Sequence, residues 1–113
     1  MATIFEKIIL REIPATIVYE DDKVIAIKDL YPKAPVHLLI ISKKVIPSFQ
    51  EMKKEDFSIL SHIALIAQKL AKEFKVDNGY RLVTNVGKSA GQSIFHLHFH
   101  LLGGNNSDEI LAL

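Results

Sequence analysis

Three of the five histidines in this 113-residue chain, His96, His98 and His100, alternate with Leu97 and Phe99. On a β-strand, side chains two apart share a face, so the imidazoles gather on one side and Phe95, Leu97, Phe99 and Leu101 on the other. A helix would spread the same histidines through about 200°. Three crowded imidazoles cannot all carry charge cheaply, so they are predominantly neutral and available as ligands or nucleophiles. Two chemistries follow. Neutral imidazoles can bind zinc or copper, with His37 as a fourth ligand. Alternatively, one imidazole held in the correct tautomer can attack phosphorus while its neighbours bind phosphate oxygens or assist the leaving group. The preceding loop favours the second chemistry: Gly87, Gly91, Gln92 and Ser93 offer permissive backbone, amides and a hydroxyl for an anion. Gly87-Lys88-Ser89 imitates the end of a phosphate-binding P-loop. However, Leu82 stands where that motif needs glycine, and a strand follows in place of a helix. The isolated His62, inside a helical pattern, reads as structural.

The composition narrows the choice of partner. A net charge of +1 gives no case for nucleic acid, and no apolar run reaches the roughly 18 residues of a membrane span. Cysteine is absent, which excludes disulfides and thiolate metal sites. With 49% hydrophobic residues and no signal-peptide pattern, the expectation is one cytoplasmic domain over residues 1–113.

The elements that must position the histidines are legible in order. Thr3 to Arg11 carries helical spacing with Thr3 as N-cap, stopped near Glu12 by Pro14. Thr16–Glu20 and Val24–Lys28 form a hairpin turning at Asp21-Asp22, and Val36–Ser42 is a strand apolar on both faces apart from His37. Glu55 to Phe74 is the one long helix. Its apolar residues form two stripes, Phe57, Leu60, Ala64, Ala67, Ala71 and Phe74 beside Ile59, Ile63, Ile66 and Leu70. That arc is wider than one sheet needs, which points to a second copy of the chain as partner, the alternative being a thicker core within one chain. After a turn at Asp77-Asn78-Gly79, Tyr80–Asn85 and the histidine stretch complete about five strands. The expected class is α+β, with a largely antiparallel sheet, one long helix and one short one.

The segment His96-Leu97-His98-Phe99-His100-Leu101-Leu102 resembles the signature of the histidine triad family. Gly91-Gln92-Ser93, Asn85, the run from Asp29 through Pro35 to Ile40, and Ile4 to Pro14 are similar to its Hint branch, the histidine triad nucleotide-binding or protein kinase C inhibitor-like proteins. The resemblance runs from about Ile4 to Gly104. It implies a homodimer whose two sheets join into ten strands. It also implies a purine nucleotide-binding hydrolase that cleaves the P–N bond of nucleoside 5′-phosphoramidates through a nucleotidyl-histidine intermediate. A dinucleoside polyphosphate hydrolase or nucleotidyltransferase using the same histidine is the related alternative, and a regulatory nucleotide-binding protein with little turnover is another.

By position, the resemblance makes His98 the nucleophile, with the main chain near His96 holding its inner nitrogen. His100 contacts the α-phosphate, and His37 and His96 support the cluster. Gly91, Gln92 and Ser93 bind phosphate or leaving group, Asn85 holds phosphate or ribose, and Asp29 takes the ribose hydroxyls. Phe5, Ile13, Ile27 and Leu30 enclose the base. No cofactor is implied. Some relatives bind zinc through two cysteines, a histidine and the first triad histidine. Thr3, Glu6 and Val45 stand at the first three positions, so no metal is expected. The tail from 104 to 113 diverges from the family's tryptophan-containing ending, leaving Asp108 and Glu109 as candidates to meet an amine.

Overall fold

The computed structural model describes residues 2–105. In chain order the elements are α1 (Ile4–Ile9), β1 (Ile17–Glu20), β2 (Val24–Lys28), β3 (Val36–Ser42), α2 (Phe57–Glu73), β4 (Tyr80–Val83) and β5 (His98–Gly103), with three short 3₁₀ turns between them. The strands form one antiparallel sheet in the order β1-β2-β3-β5-β4. The expected α+β class, five strands, long helix and short helix are all present. Of the divergent tail, residues 106–113, with Asp108 and Glu109 among them, lie outside the described residues.

Register decides what each face carries. Leu39 pairs with His100, Ile41 with His98, His37 with Leu102 and Val83 with His100. One face therefore presents Val24, Ala26, Leu38, Ile40, Phe99 and Leu101, which pack with Ile63, Ile66, Ala67, Leu70 and Ala71 of α2 in the larger core. Burying one such Leu or Ile contributes about 1.5–3 kcal/mol. The opposite face begins with a smaller apolar cluster of Ile25, Ile27, Leu39 and Ile41 under Phe5 and Ile8 of α1. Beyond α1 it continues into the histidines. The short helix thus covers part of a face whose remainder stays open.

Both helices end on a basic residue in left-handed conformation, Arg11 at φ 63° and Lys75 at φ 61°. In each case the last carbonyls are closed by paired bonds: Glu12 N–H to Lys7 O and Arg11 N–H to Ile8 O, then Val76 N–H to Ala71 O and Lys75 N–H to Lys72 O. This Schellman geometry stops α1 at Ile9, before Pro14 could act. Arg11 is also ion-paired with Glu20, tying the helix end to β1.

Three further boundaries differ from expectation. The long helix starts at Phe57 because Lys54–Asp56 form a 3₁₀ turn, where the Asp56 carboxylate accepts the Lys53 N–H and the Lys44 ammonium. β4 ends at Val83 rather than Asn85. β5 begins at His98, so His96 and Leu97 precede the strand. The Leu97 carbonyl still accepts the Ser42 N–H, but its own N–H reaches past β3 to the Ile46 carbonyl at 2.7 Å. No described helix is long and apolar enough to cross a membrane.

Candidate active site

His98 is 9% exposed, and its Nδ1 lies 2.6 Å from the His96 carbonyl. A carbonyl only accepts, so Nδ1 carries the proton and Nε2 presents a lone pair. The aim of that carbonyl is fixed within its own peptide plane, because the Leu97 N–H of the same plane is held by Ile46. Phe5 meets the His98 ring edge-on at a centroid distance of 4.9 Å. Burial pushes the His98 pKa down from the ordinary imidazole value, against a smaller upward pull from the His96 carbonyl.

A second directional chain sets His100. The Lys33 N–H donates to His37 Nδ1 at 3.0 Å, which leaves the His37 proton on Nε2. That Nε2–H donates to His100 Nδ1 at 2.9 Å, so His100 carries its own proton on Nε2. Burial, then the neighbouring His98 and His37, push the His100 pKa down to about 4. Burial also lowers that of His37, partly countered by Asp29. The two rings nearest the chemistry therefore differ in polarity: His98 offers a lone pair and His100, 5.1 Å away between centroids, offers an N–H. A nucleophile beside a neutral hydrogen-bond donor can act on a phosphoryl group.

His96 has a different environment from the other two. It is fully buried, its Nε2–H donates to the Ser42 carbonyl at 2.6 Å, and its Nδ1 faces the Thr3 hydroxyl at 3.3 Å. The three triad rings do not form one continuous surface. Because both His96 ring nitrogens are engaged internally, its part in the cluster is played by its carbonyl.

Asp29, His37, Asn85 and His100 line one cleft of about 360 Å³, joined by Tyr31, Lys33 and Arg81. Asn85 has no protein hydrogen-bond partner among the described residues, so its amide is available to a ligand. Asp29 Oδ1 accepts the Tyr31 N–H at 2.8 Å, and Oδ2 lies 3.5 Å from His37 Nε2. Asp29 is thus both a turn residue and an acceptor at the mouth of the cleft. Phe5 and Ile27 are buried in the α1 cluster, with Ile13 packed against it, while Leu30 is 80% exposed. Of these four, only Leu30 is exposed.

The glycine loop departs from the open cradle expected of its sequence. Gly87 at φ 86° and Gly91 at φ 95° flank a 3₁₀ turn over Lys88–Ala90, a backbone course that a Cβ would strain. The amides of Ala90, Gly91 and Gln92 are spent on Gly87, Lys88 and Gly87 carbonyls, so they are not free for an anion. The buried Gln92 side chain accepts the Gly87 N–H and donates to the Pro47 and Ile94 carbonyls. Gln92 is a staple of the loop. Ser93 is left exposed, and among the described residues its amide and hydroxyl have no protein partner.

Asp29, His37 and His100 offer ligand atoms within 4.8 Å of one another. The donor set fits an ion poorly, because the Lys33 N–H occupies His37 Nδ1 and the proton on Nε2 blocks that nitrogen as a ligand. At the alternative zinc position, Thr3 and Glu6 are joined in a capping box.

The groups that orient the rings are the hardest to foresee. The Ser42 and Ile46 carbonyls and the Lys33 amide are main-chain atoms with no side-chain signature. Arg81 does have a signal, as a basic residue two before Val83 on the strand beside the histidines.

The fold and this histidine arrangement define a class of protein already represented among solved structures. A HIT family hydrolase from Clostridium thermocellum superposes with a TM-score of 0.90 at 51% identity, covering 93% of this chain and 92% of that one. A HIT family hydrolase from Legionella pneumophila gives 0.90 at 44%, covering 93% and 95%. A histidine triad nucleotide-binding protein from Candida albicans gives 0.81 at 31%, covering 98% and 87%. In sequence, an uncharacterized HIT-like protein of Chlamydia muridarum is 54% identical over 104 residues, which is 92% of this chain and 82% of that protein. The HIT domain family matches residues 10–107, and the chain belongs to that family.

Proposed function

We propose that the protein is a nucleotide-binding hydrolase of the Hint type, cleaving the P–N bond of purine nucleoside 5′-phosphoramidates. The carrying observation is the His98 tautomer, with Nδ1–H committed to the His96 carbonyl and Nε2 left as a lone pair. The hydrolase description of the Clostridium and Legionella relatives and the nucleotide-binding description of the Candida relative support the same reading.

In this mechanism His98 Nε2 attacks the α-phosphorus, the P–N bond breaks, and the amine departs with a proton from solvent in the cleft. His100 Nε2–H hydrogen-bonds the phosphoryl oxygens or the departing nitrogen. As positive charge grows on His98, its Nδ1–H bond to the His96 carbonyl strengthens, which lowers the barrier selectively. Water then attacks phosphorus, the P–Nε2 bond breaks, and nucleoside monophosphate leaves with His98 restored. Asp29 takes the ribose hydroxyls, Asn85 and Ser93 the phosphate or leaving group, and Phe5, Ile13, Ile27 and Leu30 the base.

A second reading, a dinucleoside polyphosphate as substrate, is favoured by Lys33 and Arg81 in the same cleft, where cations would suit a phosphate leaving group. The protein acts as a homodimer in which β4 edges join two sheets into ten strands. Leu82, exposed on β4 itself, and Leu65, exposed on α2, support a partner on this side, and sedimentation would check it.

The deciding experiment compares wild type with His98→Ala on an adenosine phosphoramidate and on a diadenosine polyphosphate, with chelator present. AMP release and an acid-labile nucleotidyl adduct are expected from wild type, and a loss of about 10³-fold or more from the variant. Equal rates in both proteins would overturn the nucleophile assignment. Binding of AMP without turnover of either substrate would make this a binding protein.

A further inference from the structure

Thr3 lies one residue before α1, and its hydroxyl has two partners. Oγ1 accepts the Glu6 N–H at 3.2 Å, while the Glu6 carboxylate accepts the Thr3 N–H at 2.9 Å. That is a capping box, and alone it would only stabilise the first turn. The same Oγ1 lies 3.3 Å from Nδ1 of His96. Because His96 Nε2 donates to the Ser42 carbonyl, Nδ1 can only accept, so the hydroxyl proton points from Thr3 to His96. His96 is fully buried, so water does not replace that donor.

The contact joins three parts of the fold that meet at the nucleophile. α1 carries Phe5, whose ring packs edge-on against His98. The end of β3 supplies the Ser42 carbonyl. His96 supplies the carbonyl that holds His98 Nδ1–H. Since His96 precedes β5, the sheet ladder does not hold its ring; Thr3 and Ser42 do.

We propose that the Thr3 hydroxyl is a positioning group for catalysis at His98. By donating to His96 Nδ1 it holds the ring whose tautomer the Ser42 carbonyl sets, and it docks α1, with Phe5, against the nucleophile. The kinetic part of this inference rests on the phosphoramidase reading, whereas the structural part is independent of it.

Three substitutions separate positioning from capping. Thr3→Ser keeps both the cap and the donor. Thr3→Asp keeps an N-cap acceptor but has no proton to give, and Thr3→Val removes both. Each is assayed on an adenosine phosphoramidate and by ¹⁵N–¹H imidazole spectra of His96 and His98. Wild type and Thr3→Ser are expected to show His96 protonated at Nε2 and His98 at Nδ1, with kcat within about threefold of each other. Thr3→Asp and Thr3→Val are expected to change the His96 pattern and lower kcat about tenfold, with KM moving less. Thr3→Asp is expected to do so while its thermal midpoint stays near wild type. Wild-type kcat and spectra in Thr3→Asp would reduce Thr3 to a helix cap and overturn the proposal. If wild type turns over no phosphoramidate, the function reading fails, and unchanged His96 spectra in Thr3→Val would still overturn this one.

Discussion

β5 contributes Phe99 and Leu101 to one face of the sheet and His98 and His100 to the other, and the two faces are held by different physics. Under α2, apolar side chains interlock, and α2 needs no directional bond to Phe99 or Leu101. On the opposite face the rings are held by bonds with a defined donor and acceptor: Lys33 to His37 to His100, His98 to the His96 carbonyl, Thr3 to His96 to the Ser42 carbonyl. Packing tolerates small shifts at a modest cost, whereas a bond chain that assigns protons fails as a unit. The α2 face is therefore held by apolar packing, whereas the histidine face adds to its apolar cluster a set of assigned protons, on which the proposed activity rests. His62 sharpens the contrast. Its Nε2–H donates to Asp21 at 2.5 Å beside the Tyr19 hydroxyl, linking α2 to the β1–β2 turn far from the cleft. Burial resists the charge on Asp21, but hydrogen bonds from Tyr19, His62 and the Val24 and Lys23 amides outweigh it and hold the carboxyl well below its usual range. A histidine paired with a carboxylate is an anchor here; histidines paired with each other and with carbonyls are poised for chemistry.

The largest test of that division is the pair His98→Ala and Leu101→Ala, two substitutions on one strand pointing to opposite faces. His98→Ala is expected to reduce turnover by about 10³-fold, or roughly 4 kcal/mol of barrier, with a much smaller change in denaturation midpoint. Leu101→Ala is expected to cost about 2–5 kcal/mol of stability, measured by denaturant unfolding, while kcat per folded molecule changes little. Comparable stability losses from both would erase the distinction. Next in size is Gln92→Ala, which removes three bonds from a buried staple and leaves the Pro47 and Ile94 carbonyls and the Gly87 amide unpaired. A loss of about 1–3 kcal/mol is expected, with turnover falling as Ser93 is released from its place. Unchanged stability would show that the loop is held by something other than Gln92.

Much of this is legible in the residues. Alternation from His98 to Leu101 sorts the two faces because β5 begins at His98 and its register keeps the pleat. Val36–Ser42 reads as a strand buried on both sides because α2 packs on one face of it and α1 on the other. Thr3 marks the helix start, since an N-cap is a side chain, and the structure adds Glu6 as the other half of a capping box. What the residues hide is carried by the main chain or by unusual conformations. Nothing in Leu97 reveals that its N–H reaches Ile46, so side-chain alternation alone extends the histidine strand back past His98, where it starts. Arg11 and Lys75 take the left-handed conformation usually left to glycine at a helix end, so the true end of α1 is masked and Pro14 is the more visible stop. The loop before the histidines has the composition of free amides, although its own 3₁₀ turn and Gln92 consume most of them. Composition tells which groups are present, and only the fold tells which are already satisfied.

The smallest effect separates the two faces by pH. Histidines in the unfolded chain take up protons near pH 6.5, whereas in the folded protein burial keeps His37 and His98 below that value and His100 near about 4. Between those values the unfolded state binds more protons, so stability falls as pH drops from about 6.5 toward about 4. Glu20, Asp21 and Asp56 have carboxyls held below their usual values, so their stabilising contributions are lost only further into acid, leaving the interval from about pH 5 to 7 mainly to the imidazoles. The same lowering places the acid limb of kcat/KM below about pH 6.5, because His98 keeps its lone pair in mild acid. Urea unfolding at about pH 7 and about pH 5 is expected to show a decline in wild type and a smaller one in His100→Asn, which keeps an acceptor for the His37 Nε2–H but no longer titrates. An equal decline in both would mean that the acid sensitivity lies outside the histidine face, and the division between a packed face and a proton-assigning face would lose its support from titration.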